Sequence, residues 1–351
     1  MAELLEQFVC VRAVQANGID MSLFQFDYDL TWAVLFLNAD RTIYGRYGTR
    51  ARHELDTDIS LAGFKKALEG ALELHKDYPA NKESLAGKTG PAPPVKVPED
   101  FPMLRKVGYL ATVNPRDPTG GNPGACLHCH QINNNVYRSY RGADRPIPDN
   151  ALWTYPMPSA LGIELDVNER AKVKSVAPGS SAEKDGFRVG DQIVSLARQP
   201  LLSIADVQWV LHHSTAGADS LQAEIRRGGD LQALSLSLPK DWRKNGDFAW
   251  RACNGIVSPL PEGSHDLTAE EKRGLGLPAT AIAIRAKWDG RGFQKDDVIV
   301  EVEGKRSGMT ASDFIALSVQ EKKPGDKIAL KVLRAGRELS TQVEARAAPI
   351  E

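Results

Sequence analysis

Little in this 351-residue sequence leans to an extreme, and most of what it lacks is informative. It carries 44 Lys and Arg against 45 Asp and Glu, a net charge of -1. That balance gives no electrostatic footprint for nucleic acid, and no basic stripe interleaved with aromatics is present. Aromatic residues make up 7% of the chain, and no apolar run approaches the roughly 20 residues that a membrane span needs. Four cysteines are too few for a disulfide framework in a chain of this length. The opening Met1-Ala2-Glu3-Leu4-Leu5-Glu6-Gln7 has neither the basic nor the apolar stretch of a signal peptide, so taken literally it predicts a cytoplasmic chain. What remains, 42% hydrophobic and 25% charged residues, is the composition of a globular protein long enough for two or three domains.

Hydrophobic patterning predicts alternating strands and helices over the first ninety residues. Phe8-Val9-Cys10-Val11-Arg12-Ala13-Val14 reads as a short strand in which Cys10 is a buried small hydrophobe. Trp32–Leu37 and Thr42–Tyr47 read as a hairpin across Asn38-Ala39-Asp40. Leu61, Phe64, Leu68, Leu72 and His75 recur on one face of a helix, with Ser60 as its cap. Lys88 to Pro98 is rich in Gly, Pro and Lys and looks like a linker. Residues 99–158 are poor in periodic segments, so a covalent cofactor is the expected organiser of this stretch.

That stretch contains Cys126-Leu127-His128-Cys129-His130. Two thiols at this spacing can add across the vinyl groups of one haem, which sets the adjacent His130 under the iron as axial ligand. On this reading Cys126 and Cys129 attach one haem c, and His128 points away. Met157, in Tyr155-Pro156-Met157-Pro158, is the candidate second metal ligand, a thioether held in a proline-fixed extended turn. A zinc site is an alternative, though no second C-x-x-C or H-x-x-x-H pair completes four ligands. A redox dithiol and a purely structural cysteine pair are the others.

Beyond Pro158 the chain repeats itself. Val189-Gly190-Asp191-Gln192-Ile193-Val194-Ser195-Leu196 has a counterpart in Lys295-Asp296-Asp297-Val298-Ile299-Val300-Glu301-Val302. Each copy ends in a similar hairpin, at Ile225–Gly229 and at Val332–Gly336. The first copy, with Leu161-Gly162-Ile163, Val173–Ala182 and Gly186–Ile193, resembles a bacterial PDZ domain. The resemblance implies strand addition of an extended peptide, with amides near Gly162 and Ile163 receiving a terminal carboxylate. Ser203 to His213 is then the groove helix, and Leu161, Gly162, Ile163, Val207 and Leu211 are the peptide-binding residues. The second copy departs from the pattern, with Lys287-Trp288-Asp289-Gly290-Arg291 in place of the Pro-Gly turn. No Ser-His-Asp arrangement upstream makes this a PDZ protease; His53, Asp56 and Asp58 read as a solvated loop.

Strand, hairpin and helix between Phe8 and His75 look like the later part of a thioredoxin fold. Together these features resemble the bacterial thioredoxin-like PDZ-domain (seleno)proteins. That resemblance implies a redox-active cysteine or selenocysteine, and an export signal, upstream of Met1. It also implies thiol or selenol oxidoreductase activity if the N-terminus is truncated; as it stands the chain shows no complete catalytic site.

The expected architecture is therefore α+β and multidomain. A partial thioredoxin-like domain at 1–88 and a linker at 89–98 precede a cytochrome c-like haem segment at 99–158. A PDZ domain at 159–242, an inter-repeat segment at 243–273 and a PDZ-like domain at 274–347 follow. The expected function is periplasmic electron transfer through one covalent haem, with a redox partner protein and a protein or C-terminal peptide recruited by the PDZ domains. The alternative is a non-redox PDZ adaptor whose cysteine pair binds zinc or is structural.

Overall fold

A computed structural model describes residues 1–51, 57–102, 104, 127–214 and 217–347. Cys126, His53 and Asp56 lie outside the described residues. Apart from short helical turns, the main elements in chain order begin with strands β1 (Val34–Leu37) and β2 (Ile43–Tyr47), then helices α1 (Leu61–Lys76) and α2 (His130–Arg141). Strands β3 (Ile163–Leu165), β4 (Val173–Val176), β5 (Gln192–Leu196) and β6 (Gln199–Pro200) lead to helix α3 (Ile204–His213). Strands β7 (Ser220–Arg227), β8 (Asp230–Ser237), β9 (His265–Asp266), β10 (Ile284–Arg285) and β11 (Val298–Val302) lead to helix α4 (Ala311–Gln320). Strands β12 (Lys327–Arg334) and β13 (Arg337–Glu344) close the series.

These elements fall into two compact units. One comprises the described residues up to His128 together with Trp153–Gly246; the other comprises Cys129–Leu152 together with the described residues from Asp247 onward.

In the first unit β1 and β2 pair antiparallel, with Val34 opposite Tyr47, as the apolar runs predict. Helix α1 forms where the periodicity places it, and the Ser60 hydroxyl accepts the Gly63 amide at 2.9 Å as its cap. Its small residues Ala67 and Ala71 let it approach closely, so that Leu68 packs with Phe36, Tyr44 and Tyr47 of the hairpin. The expected strand at Phe8–Val14 does not form. Val9 and Val11 are 95% and 89% exposed, and Cys10 is exposed rather than buried. With no strand beside it, the segment's β propensity has no ladder to act on. Among the described residues the first hundred thus supply one hairpin and one long helix, with no thioredoxin-like sheet.

The remainder of this unit is antiparallel. Strands β3 and β4 pair, and β6-β5-β7-β8 form a four-stranded sheet. Ile163, Val173, Phe187, Ile193, Ile225 and Leu236 close around Val207, Val210 and Leu211 of α3. Each such apolar side chain contributes roughly 1.5–3 kcal/mol by leaving water.

The second unit is a five-stranded antiparallel sheet, β13-β12-β11-β10-β9, with α4 against it. Helix α2 is tied to α4 by Arg141, whose guanidinium donates to the carbonyls of Val319, Lys322 and Arg346 at 3.3, 3.0 and 3.0 Å. Ile132, Tyr137, Ile147 and Leu152 are buried. This unit's share of the stretch expected to need a covalent cofactor, residues 129–152, is thus held by its own side chains.

The repeat seen in the sequence is a repeat of backbone as well. Asp191 is nearly inaccessible and receives Arg227 Nε and Nη2 at 2.7 Å each, and the Arg188 amide at 2.8 Å. Asp297, equally buried, receives Arg334 Nε and Nη2 at 2.8 and 2.7 Å, and the Gln294 amide at 2.8 Å. Left-handed residues recur in step: Gly186 with Gly292, Gly190 with Asp296, Ala197 and Arg198 with Glu303 and Gly304, and Gly228 and Gly229 with Ala335 and Gly336.

Candidate functional site

The residues singled out for peptide binding converge in the first unit. Pro158 opens a single 3-10 turn, Pro158–Leu161, which ends at Gly162 with φ of 89°. Only glycine suits this position, because a Cβ here would stand 2.2 Å from Ser180 Cβ and strain a left-handed backbone. The Gly162 amide donates back to Ser159 O at 2.9 Å, and the Gly162 carbonyl accepts the Ala177 amide at 2.8 Å. With Gly162 O turned to β4 and Ile163 opposite Val176, the amide and carbonyl of Ile163 point away from β4. Of the two amides expected to receive a carboxylate, Gly162's is committed to its own turn and Ile163's faces the strand edge.

Leu161, Ile163, Val207 and Leu211 share one core, and all four are buried. Helix α3, which starts at Ile204 with the Ser203 hydroxyl accepting the Ala205 amide as its cap, is covered on its other faces by the N-terminal part of the same unit. Ser203 Oγ donates to Arg46 O at 2.5 Å, and the Arg46 guanidinium lies 3.4 Å above the Trp209 ring. Lys88 Nζ lies 2.8 Å from Asp206 Oδ1, with both side chains fully buried. The Asp206 carboxylate also accepts the Arg46 and Leu202 amides at 3.2 and 2.9 Å. Burial pushes the Lys88 amine down, and Asp206 pulls it part of the way back. Burial likewise lowers the Arg46 guanidinium to about 10, still charged at neutral pH.

None of Arg46, Thr49, Lys88, Asp206 or Trp209 stood out in the sequence. Asp206 carried a readable signal, a lone carboxylate inside the apolar run Ile204-Ala205-Asp206-Val207. Lys88 carried none, since it opens a stretch that reads as linker. The residues after it are tied down too: Gln25 Oε1 accepts the Gly90 amide at 2.8 Å, and Gln25 Nε2 donates to Pro91 O at 2.8 Å. Asp58, read as part of a solvated loop, is buried and accepts the Ala51 amide at 2.8 Å.

The haem reading is overturned. Met157, the proposed second iron ligand, packs against the core around α3, and Thr49 Oγ1 lies 3.4 Å from its sulfur. Cys129 and His130 open helix α2, and burial pushes the Cys129 thiol up, away from the reactive thiolate. Among the described residues no group of three or more His, Cys, Asp or Glu side chains is placed to share a metal ion. Cys126 lies outside the described residues.

Comparison with known proteins points the same way. Residues 159–238 match the PDZ domain family. A probable periplasmic serine endoprotease DegP-like from Pseudomonas savastanoi pv. phaseolicola is 30% identical over 181 residues, covering 49% of this chain and 37% of the relative. The periplasmic pH-dependent serine endoprotease DegQ of Escherichia coli is 28% identical over 181 residues, covering 51% of this chain and 37% of the relative. The chain thus spans little more than a third of the length of the curated relatives it matches. A solved HtrA-type protease, AlgW with tripeptide, is 22% identical over 38% of this chain and 54% of that chain, with a TM-score of 0.23. Serine endoproteases need no covalent haem, so haem c, iron and electron transfer with a redox partner are withdrawn. The relatives' names place them in the periplasm, the compartment the sequence reading expected. No helix among the described residues is long and apolar enough to cross a membrane.

Proposed function

We propose that this chain is a periplasmic PDZ adaptor that recruits a protein partner by its C-terminal tail. The carrying observation is the Ile163 edge of β3 within the PDZ domain. There one outward amide and carbonyl, set by the Gly162 turn, are placed to pair with an extended peptide and receive its carboxylate. Leu161, Ile163, Val207 and Leu211 form the apolar floor for the last side chain, and Gly162 sets the turn rather than donating. The periplasmic assignment rests on the names of the relatives.

The second unit carries the same Asp–Arg clamp and the same left-handed positions, which supports a second PDZ-like module from about 274 to 347. Its role is to hold structure. Asp266, on the strand beside β10, accepts the Ala311 amide at 3.0 Å on both carboxylate oxygens, which pins that strand to the start of α4.

Fluorescence polarisation with a pool of decapeptides ending in an apolar residue tests the reading. Peptides with a free carboxylate bind, and the same peptides amidated at the C-terminus bind at least about tenfold more weakly, the loss expected when a charged hydrogen bond is removed. Binding indifferent to amidation, or none, removes the proposal.

A further inference from the structure

The chain itself reaches across the far end of the edge that β3 offers. Ser60, the cap of α1, donates its hydroxyl to Val167 O at 2.8 Å, just past the end of β3. Gly63 sits so close that a Cβ on it would stand 2.2 Å from the same carbonyl oxygen. Farther along α1, Arg170 of the β3–β4 turn donates to Glu73 at 2.8 and 2.9 Å and to Lys66 O at 3.1 Å, while Lys66 pairs with Glu169.

On the opposite wall Thr49 Oγ1 donates to Gln208 Oε1 at 2.5 Å, and Gln208 Nε2 donates to Tyr155 O at 2.8 Å. Between the walls, Tyr47, Thr49, Ile59, Val167, Ile204 and Ala205 leave a cavity of about 10 Å³. That is room for about one water and for no peptide side chain.

We infer that helix α1 is a self-occluding strap across the peptide-binding groove, which must lift from β3 before a partner's tail can enter. The inference rests on the peptide-binding reading above. The two sides of the strap are unequal. The segments on either side of it hold α3 by buried contacts, Arg46 of β2 on Trp209 and Lys88 beside Asp206. Its own hold on the strand side is the Ser60 hydroxyl bond, the Arg170 bond to Lys66 O and ion pairs partly open to water, a kind of contact that water and salt readily replace. Opening therefore parts α1 from Val167 and Arg170 while β2 stays on α3. The measured affinity for a tail is the intrinsic affinity reduced by the fraction of chains that are open, so loosening the strap raises it.

The test uses the full chain, the Gly63→Ala variant, whose new methyl wedges against Val167 O, and the Arg170→Met variant, which frees the far end of α1. Each is titrated with free-carboxylate decapeptides ending in an apolar residue, and hydrogen exchange is followed in the unaltered chain. Both variants should bind at least about tenfold tighter. Peptide should speed exchange at Gly63 to Lys66 while the amides of Ile43 to Tyr47 stay protected. Equal affinity in all three proteins, with exchange over 63–66 unmoved by bound peptide, overturns the strap and leaves peptide binding intact. No binding by any of the three, loosened variants included, overturns both. If Gly63→Ala does not fold, Arg170→Met and the exchange measurement decide.

Discussion

Asp191 and Asp297 stand at the same place in the two repeats, each almost sealed from water and each gripped by the Nε and Nη2 of an arginine on the neighbouring hairpin strand. The clamp ties the loop before a central strand to the hairpin that follows the helix, so it fixes the shape of each module.

In the second module the effect can be read against pH. Burial pushes the Asp297 carboxyl up, but the Arg334 hydrogen bonds, the Gln294 amide and the Arg334 charge together outweigh it and hold the group below its ordinary value. A depressed carboxylate stabilises the fold above its unfolded pKa, and the contribution is lost as pH falls through the folded one. Asp297→Asn should therefore cost about 1–2 kcal/mol at pH 7. Urea unfolding at pH 7 and again near pH 3 should show the gap closing at acid pH.

Asp266 has the opposite sign. Burial, with Asp247 and Asp313 nearby, raises its carboxyl to about 6, against the opposing pull of the Ala311 amide and the Lys272 charge. A group whose folded pKa is raised favours the folded state below its unfolded pKa, near 3.8, and that contribution is lost as pH rises toward 6. Asp266→Asn keeps an acceptor for the Ala311 amide and removes the charge. It should stabilise the second unit by about 2 kcal/mol at pH 7, and by little at pH 4. Unfolding curves at the two pH values check this.

His213 sets a pH response in the first unit. Its ring packs on Trp209 at 3.8 Å between centroids, and burial lowers its pKa, with the nearby charges of Arg46 and Arg243 acting in the same direction. The Trp209 carbonyl, 3.0 Å from Nδ1, acts against this shift. A histidine depressed in this way supports the fold above its unfolded value, near 6.5, and the support fades as pH falls below it. A melting series from pH 8 to 5 should show the first unit weakening through that window, and His213→Phe should flatten the response.

Gly162→Ala sets a methyl against Ser180 and a side chain on a left-handed backbone. The strain should cost about 1–3 kcal/mol and abolish carboxylate-dependent peptide binding. Thermal melting and the polarisation assay measure the two effects separately.

The sequence made some of this legible and hid the rest for physical reasons. The α1 face, its Ser60 cap, the β1–β2 hairpin and the Gly190-Asp191 and Asp296-Asp297 repeat are local patterns, and local patterns survive folding. Helix α2 was missed because His130–Arg141 is mostly polar and is anchored by Ile132, Tyr137 and the Arg141 guanidinium instead of an apolar stripe. Phe8–Val14 has the composition of a strand but no neighbour to pair with. Lys88 and Arg46 are charged residues that only tertiary packing buries, so no periodicity announces them. The C-x-x-C-H spacing suited a haem, but five residues of chemistry do not carry the surroundings that a haem needs. Met157, enlisted as a ligand, belongs to the packing of the PDZ core.

The central claim is that a partner's C-terminal tail pairs with the outer edge of β3, and hydrogen exchange at the single amide of Ile163 measures it most directly. With a free-carboxylate decapeptide in excess, exchange at Ile163 should slow at least about tenfold, as it does when an edge amide enters a ladder, and the amidated peptide should leave it unchanged. Exchange at Ile163 that is the same with bound peptide as without it would contradict the account.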